Sequence, residues 1–544
     1  GTGRMSFVRG RGADTAALLA LWGALIGTVL WLRPLLPVDE TRYVAVAWEM
    51  WLRGEFLVPR LNGEAYHHKP PLLFWLIHAG WALFGVNEWW PRLVAPLLSL
   101  LNLVLAAGLA RRLWPEQAQV ARLVPWLLFG LPLWVAFLTL VQFDLLLVVC
   151  TLAGMLGLLQ AVAGKRRGWG LLGLVIGLGV LGKGPVILLH LLPVALLAPA
   201  WLPRSVRGQG RSYNWSRWYA GLFGAVALGA GIALAWAVPA GMAGGEAYRD
   251  AIFWGQTAGR VVDSFAHRQP WWWYLPWLPV LLLPWLLWSR LWRGVSYTDW
   301  GGVWQLRFLL AWLLPVLLAF SLVSGKQVKY LLPLLPAAML LLARLGVAAP
   351  GLPRRPRLVA ALLVTGGGLL ALAPLLVHPD QAWWLSALPV WPGLGLILIG
   401  LLALALPPLS RLPQARITAA GTVLLVIAGH LTLLPAAAPA YDLRPAAQRI
   451  AALQRDGVPV AHVGKYHGQF HFLGRLRQPL IEIPRTRVEQ WASAHPQGWV
   501  VLYQADWPEL DAGAEAVWPY RSDTADLALW RGAALAAALR RGGD

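Results

Sequence analysis

Two short runs near the start of the chain combine residue types that can handle charge. One is Pro37-Val38-Asp39-Glu40-Thr41-Arg42-Tyr43, and the other is Tyr66-His67-His68-Lys69-Pro70-Pro71. An adjacent acid pair with Arg42 and Tyr43 suits a polar cavity, where a carboxylate orients or takes a proton and a guanidinium holds an oxyanion. The plainer reading is an interfacial charge, or a cap on the helix that follows. Lys69 stands before two prolines, which hold its backbone extended. A lysine fixed there can meet a phosphate at headgroup level, and simple snorkelling would also place it there.

Further groups could join them. Asp144, in Val141-Gln142-Phe143-Asp144, is the only acid between Glu116 and Glu246. It is otherwise a boundary turn residue. Lysine is scarce, yet Lys69, Lys183, Lys326 and Lys329 are all external by the topology below, against a cytoplasmic face made almost wholly of arginine. One such lysine is a solvated charge; four together look like a basic pocket for phosphate. Asp263, His267 and Arg268 precede a Trp271-Trp272-Trp273-Tyr274 belt and read either as site residues or as a polar loop. No catalytic zinc spacing such as H-E-x-x-H occurs. No cofactor is therefore expected, and Glu64, His67 and His68 form the set that could hold a divalent metal.

The elements that must position these groups are membrane spans. Of 544 residues, 58% are hydrophobic and 13% charged, about half the charged share of a soluble domain. The formal charge of +21 comes from arginines set between apolar spans, a topology and lipid signal rather than a nucleic-acid one. Cys150 is alone in an apolar run and reads as a packing residue. The residues ahead of Met5 fit an expression scar, and Thr15 to Leu32 reads as a retained first span. A span needs about 20 apolar residues. Candidates lie near 15–35, 92–110, 119–141, 145–164, 169–182, 186–202, 219–241, 271–289, 308–323, 330–346, 358–377, 386–406 and 417–436. The fifth and sixth, separated by Lys183-Gly184-Pro185, could instead be a re-entrant hairpin.

Basic residues test that count. With a cytoplasmic N-terminus, arginines should mark alternate loops. They do so at Arg4, Arg9 and Arg11; Arg111 and Arg112; Lys165, Arg166 and Arg167; Arg204, Arg207, Arg211 and Arg217; Arg290 and Arg293; Arg354, Arg355 and Arg357; and Arg411 and Arg416. The fold expected is a polytopic α-helical membrane protein of about 13 transmembrane helices. Residues 1–440 form the membrane domain, with an external loop at 37–91 whose run from Pro71 to Phe84 suggests an interfacial helix. Residues 441–544 change composition. A helix from Arg444 to Arg455 and strands at Val458 to Val463, Leu480 to Ile483 and Trp499 to Tyr503 predict a small soluble α/β domain.

The first-loop motif Asp39-Glu40-Thr41-Arg42-Tyr43 with His68-Lys69-Pro70-Pro71-Leu72 resembles the GT-C glycosyltransferases. It is most similar to the lipid A 4-amino-4-deoxy-L-arabinose transferases and their protein O-mannosyltransferase relatives. The resemblance extends over most of the membrane part, including the Lys-Gly-Pro break and the Ser324-Gly325-Lys326…Lys329-Tyr330 loop. It implies transfer of the aminosugar from undecaprenyl phosphate to lipid A phosphate at the periplasmic face of the bacterial inner membrane, a modification tied to polymyxin resistance. It implies as partners the undecaprenyl-phosphate-linked sugar, lipid A and membrane lipids, no nucleic acid, and a monomer. Asp39 matches the family's catalytic acid. Lys69 and Asp144 match other polar positions of its pocket. Glu40, Arg42, Tyr43, Tyr66, His67, Lys183, Arg268, Lys326, Lys329 and Tyr330 would line the substrate and carrier-phosphate side. The alternatives are protein mannosylation from a polyprenyl-phosphate sugar and, from another class, a lipid transporter or flippase. A transporter would place charges near the bilayer midplane, often on inverted repeats; here they gather at span ends and no repeat is visible.

Overall fold

The structure is a computed structural model that describes residues 2–203, 206, 213–255, 268–300, 303–376, 383–510 and 513–542. Asp263 and His267 lie outside the described residues. Helices dominate from α1 (Thr2–Leu32) onward. α2 (Asp39–Arg53), a short hairpin of β1 (Arg60–Leu61) and β2 (Glu64–Ala65), and α3 (Leu72–Phe84) form the first loop. Then come α4 (Trp89–Leu113), α5 (Ala118–Phe129), α6 (Pro132–Phe137), α7 (Asp144–Val162), α8 (Arg167–Lys183), α9 (Val186–Leu196), α10 (Ala198–Trp201), α11 (Trp215–Gly244), α12 (Glu246–Asp250), α13 (Trp277–Leu282), α14 (Ser289–Tyr297) and α15 (Trp304–Leu322). A 3₁₀ turn (Val328–Leu334) leads into α16 (Leu335–Ala348), followed by α17 (Arg357–Leu376), α18 (Trp391–Ala403) and α19 (Arg411–Tyr441).

Eight helices among the described residues are long and apolar enough to cross a membrane. The other five expected spans are short or broken helices, and proline explains two breaks: Pro132 opens α6, and Pro284 follows α13. Proline removes a backbone donor and clashes with the preceding turn. The Lys183-Gly184-Pro185 break separates two helices that pack on each other, since a Cβ on Gly179 of α8 would lie 2.5 Å from Ile187 of α9. Small residues let other helices approach as closely. A Cβ on Gly168 would lie 2.4 Å from the Gly157 carbonyl, and Gly367 and Gly393 stand in the same relation at 2.5 Å. In lipid, where apolar burial gives little drive for helices to associate, such contact supplies the packing.

Charges pin both ends of the bundle. At one end Asp14 of α1 accepts from Arg122 of α5 at 2.7 Å and also pairs with Arg416 of α19. At the other end Arg33, just past α1, meets Glu40 at 3.3 Å and donates to Thr139 Oγ1 at 2.9 Å.

Beyond α19 the chain forms an α/β unit. α20 (Arg444–Arg455), β3 (Val460–Val463), β4 (Ile481–Ile483), α21 (Val488–Ala494), β5 (Trp499–Tyr503), β6 (Ala516–Tyr520), β7 (Ser522–Arg531) and α22 (Gly532–Gly542) build a sheet ordered β4-β3-β5-β7-β6. β3 is parallel to β4 and β5; β7 is antiparallel to β5 and β6. Alternation decides the two faces. Leu527, Leu529 and Val501 pack on Ile450 and Leu453 of α20, while Ala528, Trp530 and Val500 pack on Val488, Leu535 and Ala536 of the other helices. A strand buried on both faces loses its polar alternation, so β7 escapes the sequence reading; β6, at the sheet edge, is also missed.

This unit sits on the first loop. Asn62 and Leu480 exchange hydrogen bonds of 3.0 and 2.8 Å. Trp48 of α2 donates to the Leu476 carbonyl at 2.9 Å, and Phe472 stacks on Trp81 of α3. A Cβ on Gly468 would lie 3.2 Å from Ala45 of α2.

Candidate active site

α2 begins at Asp39, and the two acids of the motif then part. Their neighbouring positions point the side chains about 100° apart around the helix. Asp39 is 60% exposed and pairs with Arg42 one turn on. Glu40 is buried, and its carboxylate accepts from the Leu36 amide (3.0 Å), the Val141 amide (2.9 Å) and Arg33 (3.3 Å). Glu40 was expected on the substrate side. Every near donor to it is a fixed group, so it joins the end of the first span to the approach to α7.

The inner face of α2 and the start of α3 converge on Phe143. The Tyr43 ring meets Phe143 edge-on at 4.9 Å and Phe74 does so at 5.7 Å. Lys69 Nζ lies 5.3 Å from the same ring's centroid, within cation–π range. The next residue, Asp144, opens α7 and is buried; Lys183, the last residue of α8, pairs with it. Lys183 Nζ in turn lies 5.0 Å from the centre of the Tyr330 ring. Phe143, Lys69, Asp144, Lys183 and Tyr330 thus form one continuous group drawn from four parts of the sequence. Arg42 leads into it over the Tyr43 ring at 5.6 Å. Burial pushes the Tyr43 phenol well up, with Asp39 and Tyr66 adding to the shift. Its hydroxyl therefore stays neutral and able to donate.

The remaining candidates divide. Tyr66 is buried with α2 and α3, and its ring lies 5.4 Å from His68. The His67 and His68 rings are 4.2 Å apart, but no three His, Cys, Asp or Glu groups gather as a metal site among the described residues. The Glu64, His67 and His68 set is therefore not assembled. Glu64 lies on the β2 strand and is exposed.

The lysine loop is held by its own contacts. Lys326 is buried, and its ammonium donates to the Gln269 carbonyl at 3.1 Å and to the Val323 carbonyl. Burial pushes its pKa down. It staples two segments rather than presenting a charge: Arg268 bridges Gly325, and the Gln269 amide donates to Ser324 at 3.0 Å. Arg268 itself is exposed on that staple. Lys329 is half-buried in the turn that carries Tyr330.

Sequence reasoning did not single out three contributors. Phe143, the shared platform, was visible only as the residue before Asp144. Arg33 and Arg92 hold the loop from below, with Arg92 donating to the Val29 carbonyl at 2.9 Å and to the Arg33 carbonyl at 2.5 Å. From the C-terminal unit, the run Lys465-Tyr466-His467-Gly468 reaches α2. His467 is half-buried, and its pKa is pushed down by burial, then by the nearby Arg42 and Lys465. The density of aromatic and basic residues there was the available signal.

Comparison with known proteins follows this geometry. Residues 68–232 match the family model of dolichyl-phosphate-mannose-protein mannosyltransferases. An undecaprenyl phosphate-alpha-4-amino-4-deoxy-L-arabinose arabinosyl transferase of Pseudomonas paraeruginosa is 34% identical over 347 residues, covering 61% of this chain. That match spans 58% of the relative's own length. Among solved structures, ArnT from Cupriavidus metallidurans is similar in its apo state, with a TM-score of 0.75, 20% identity and coverage of 98% of this chain and 99% of that one. Its complex with undecaprenyl phosphate gives 0.72, also at 20% identity, over 95% and 97%. The likeness in fold covers nearly the whole chain, which has the GT-C fold of a membrane-embedded protein with a small C-terminal α/β unit.

Proposed function

We propose that this chain is a glycosyltransferase that moves 4-amino-4-deoxy-L-arabinose from undecaprenyl phosphate to a phosphate of lipid A. The observation that carries the reading is the run of contacts from Lys69 on Phe143, through the adjacent Asp144, to Lys183 and Tyr330, with Tyr43 joining Phe143 to the Asp39–Arg42 pair. The carrier and the sugar come from the named relatives and from the undecaprenyl phosphate bound in the similar structure. The arginine alternation supports a periplasmic site in a bacterial inner membrane. On this reading residues 1–440 are the membrane domain and 441–544 a periplasmic domain, and the enzyme works as a monomer.

In the reaction an acceptor phosphate oxygen attacks the anomeric carbon while the bond from that carbon to the carrier phosphate breaks. The bonding electrons leave with undecaprenyl phosphate. Negative charge grows on the leaving phosphate, so fixed cations are the main aid. Lys69, held by its prolines, and Arg42 take that role, with the neutral Tyr43 hydroxyl as a donor. Asp144 holds Lys183 in place beside Tyr330. An acceptor phosphate is already largely ionised at neutral pH, so Asp39 orients the acceptor or balances the sugar's amino group instead of removing a proton.

The family model that matches residues 68–232 favours a second reading, protein mannosylation, in which Asp39 would be the base for a Ser or Thr hydroxyl. Purified protein in liposomes, given labelled undecaprenyl-phosphate aminosugar, should label lipid A and leave a Ser/Thr-rich peptide unlabelled. Mass spectrometry of lipid A from cells with and without the protein should show the added aminosugar. Unchanged lipid A together with a labelled peptide would replace this reading by the second.

A further inference from the structure

The far end of α7 carries a second basic feature. α7 has 19 residues, so at 1.5 Å per residue its two ends lie roughly 28 Å apart. Asp144 marks the site end. At the other end a groove of about 620 Å³ runs between the α7–α8 turn and α11. Its mouth carries Lys165, Arg166 and Arg217, and its walls Trp169, Trp218 and Tyr213.

The backbone beneath Lys165 and Arg217 is held in place. Gly164 takes φ +76°, a left-handed turn that suits glycine. The Lys165 amide there closes the helix end on the Gln160 carbonyl at 3.0 Å. Across the groove the Asn214 side chain caps α11 by accepting from the Arg217 amide at 3.0 Å. None of the three cations makes an ion pair among the described residues. Nor does the sequence from Leu145 to Gly245 contain a single Asp or Glu that could serve. The Trp169 and Trp218 rings meet edge-on at 4.8 Å, and the buried Trp218 indole donates to the Ala195 carbonyl at 3.0 Å. Below them the groove stays open because residues are missing side chains: a Cβ on Gly170 or Gly224 would meet nothing within 4 Å. Apolar Ala225 and Leu228 continue the wall along α11 toward the bilayer interior.

We infer that this groove holds one anionic phospholipid of the phosphatidylglycerol class, from the leaflet opposite the transfer site. The phosphate sits between Lys165, Arg166 and Arg217, and an acyl chain runs along the glycines. Charge complementarity selects the headgroup, because three cations with no acid partner among the described residues repel one another until an anion joins them. The apolar channel selects a lipid over a free ion.

The test is native mass spectrometry of the full chain in micelles doped with phosphatidylglycerol, phosphatidylethanolamine or undecaprenyl phosphate at equal amounts. Wild type should retain one phosphatidylglycerol in preference to the other two. Lys165→Gln, Arg166→Gln and Arg217→Gln together should cut that retention about a hundredfold, at roughly fivefold per cation. Gly224→Leu keeps every charge and should cut it about tenfold by filling the channel. Both variants should melt with wild type when no lipid is added, which separates lost binding from lost folding. Equal retention of phosphatidylethanolamine, preferred retention of undecaprenyl phosphate, or full phosphatidylglycerol retention in either variant would overturn the proposal.

Discussion

Two acid–base pairs lie on the same side of this molecule and differ in almost every physical respect. Asp144 and Lys183 join the start of α7 to the end of α8 with side chains 3% and 12% exposed. Asp39 and Arg42 lie one turn apart on α2 with side chains 60% and 23% exposed. A buried pair holds position because neither partner can find water. An exposed pair is worth little to stability and can exchange partners cheaply. The first therefore behaves as a frame and the second as a contact surface, and a substrate carrying phosphates can compete for Arg42 without unfolding anything.

The largest effect should come from breaking the frame. Asp144→Ala strands the Lys183 ammonium and should cost about 3–5 kcal/mol, read as a lower melting temperature in detergent. Asp144→Leu with Lys183→Met removes both charges and should recover most of that stability while transfer stays lost. If the double variant transferred sugar normally, the buried pair would have no part in the site.

Asp39→Asn probes the other pair. Stability should change by less than about 1 kcal/mol, while transfer falls about a hundredfold if the carboxylate orients substrate. Full activity in the liposome assay would remove Asp39 from the site.

How far the sequence allowed this contrast to be seen depends on what each residue was asked to reveal. The helical frame was legible because apolar runs and alternating arginines are long-range signals that need no tertiary knowledge. Lys69, Asp144 and Lys183 stood out in the sequence as rare charged residues on the external side, and the resemblance added Tyr330 to them. Glu40 and Lys326 look like the other candidates in sequence, yet both are buried and already hold partners within the fold. Only their partners, the Val141 amide for one and the Gln269 carbonyl for the other, show that their charge is already used. Those partners lie 101 and 57 residues away, a distance over which periodicity is silent. β7 was hidden for a different reason, since burial on both faces erases the alternation that marks a strand.

Acid should separate the two pairs through the C-terminal unit. Burial lowers both His462 and His471 to about 4. His462 bridges the Gly464 carbonyl and the Tyr503 hydroxyl, both at 3.1 Å, while His471 pairs with the Tyr466 hydroxyl at 2.7 Å. In the fold each imidazole is neutral, and its pKa lies below the unfolded value of 6.5. Their contribution is therefore complete above pH ~6.5 and is lost as pH falls toward about 4, by roughly 2–3 kcal/mol for each histidine. Hydrogen exchange should show the segment around His467 and the face of α2 beneath it opening in that window, while α7 and α8 stay protected. Equal opening of both regions would mean the frame and the contact surface are not separate.

The smallest effect decides whether the C-terminal unit shares the site or only covers it. His467 belongs to the segment packed on Ala45, three residues along α2 from Arg42, and it feels the charge of Arg42. A carboxylate placed there would compete with Asp39 for the guanidinium. At an effective dielectric between protein surface and water, that competition amounts to about 1 kcal/mol, or roughly fivefold. His467→Glu should therefore raise the KM for lipid A about fivefold with kcat nearly unchanged, because it hinders an anionic acceptor before the chemical step. His467→Gln, which adds no charge, should leave KM near that of wild type. If the two variants behaved alike, the segment would act by packing, and Asp39 and Arg42 would meet the acceptor without help from the domain above them.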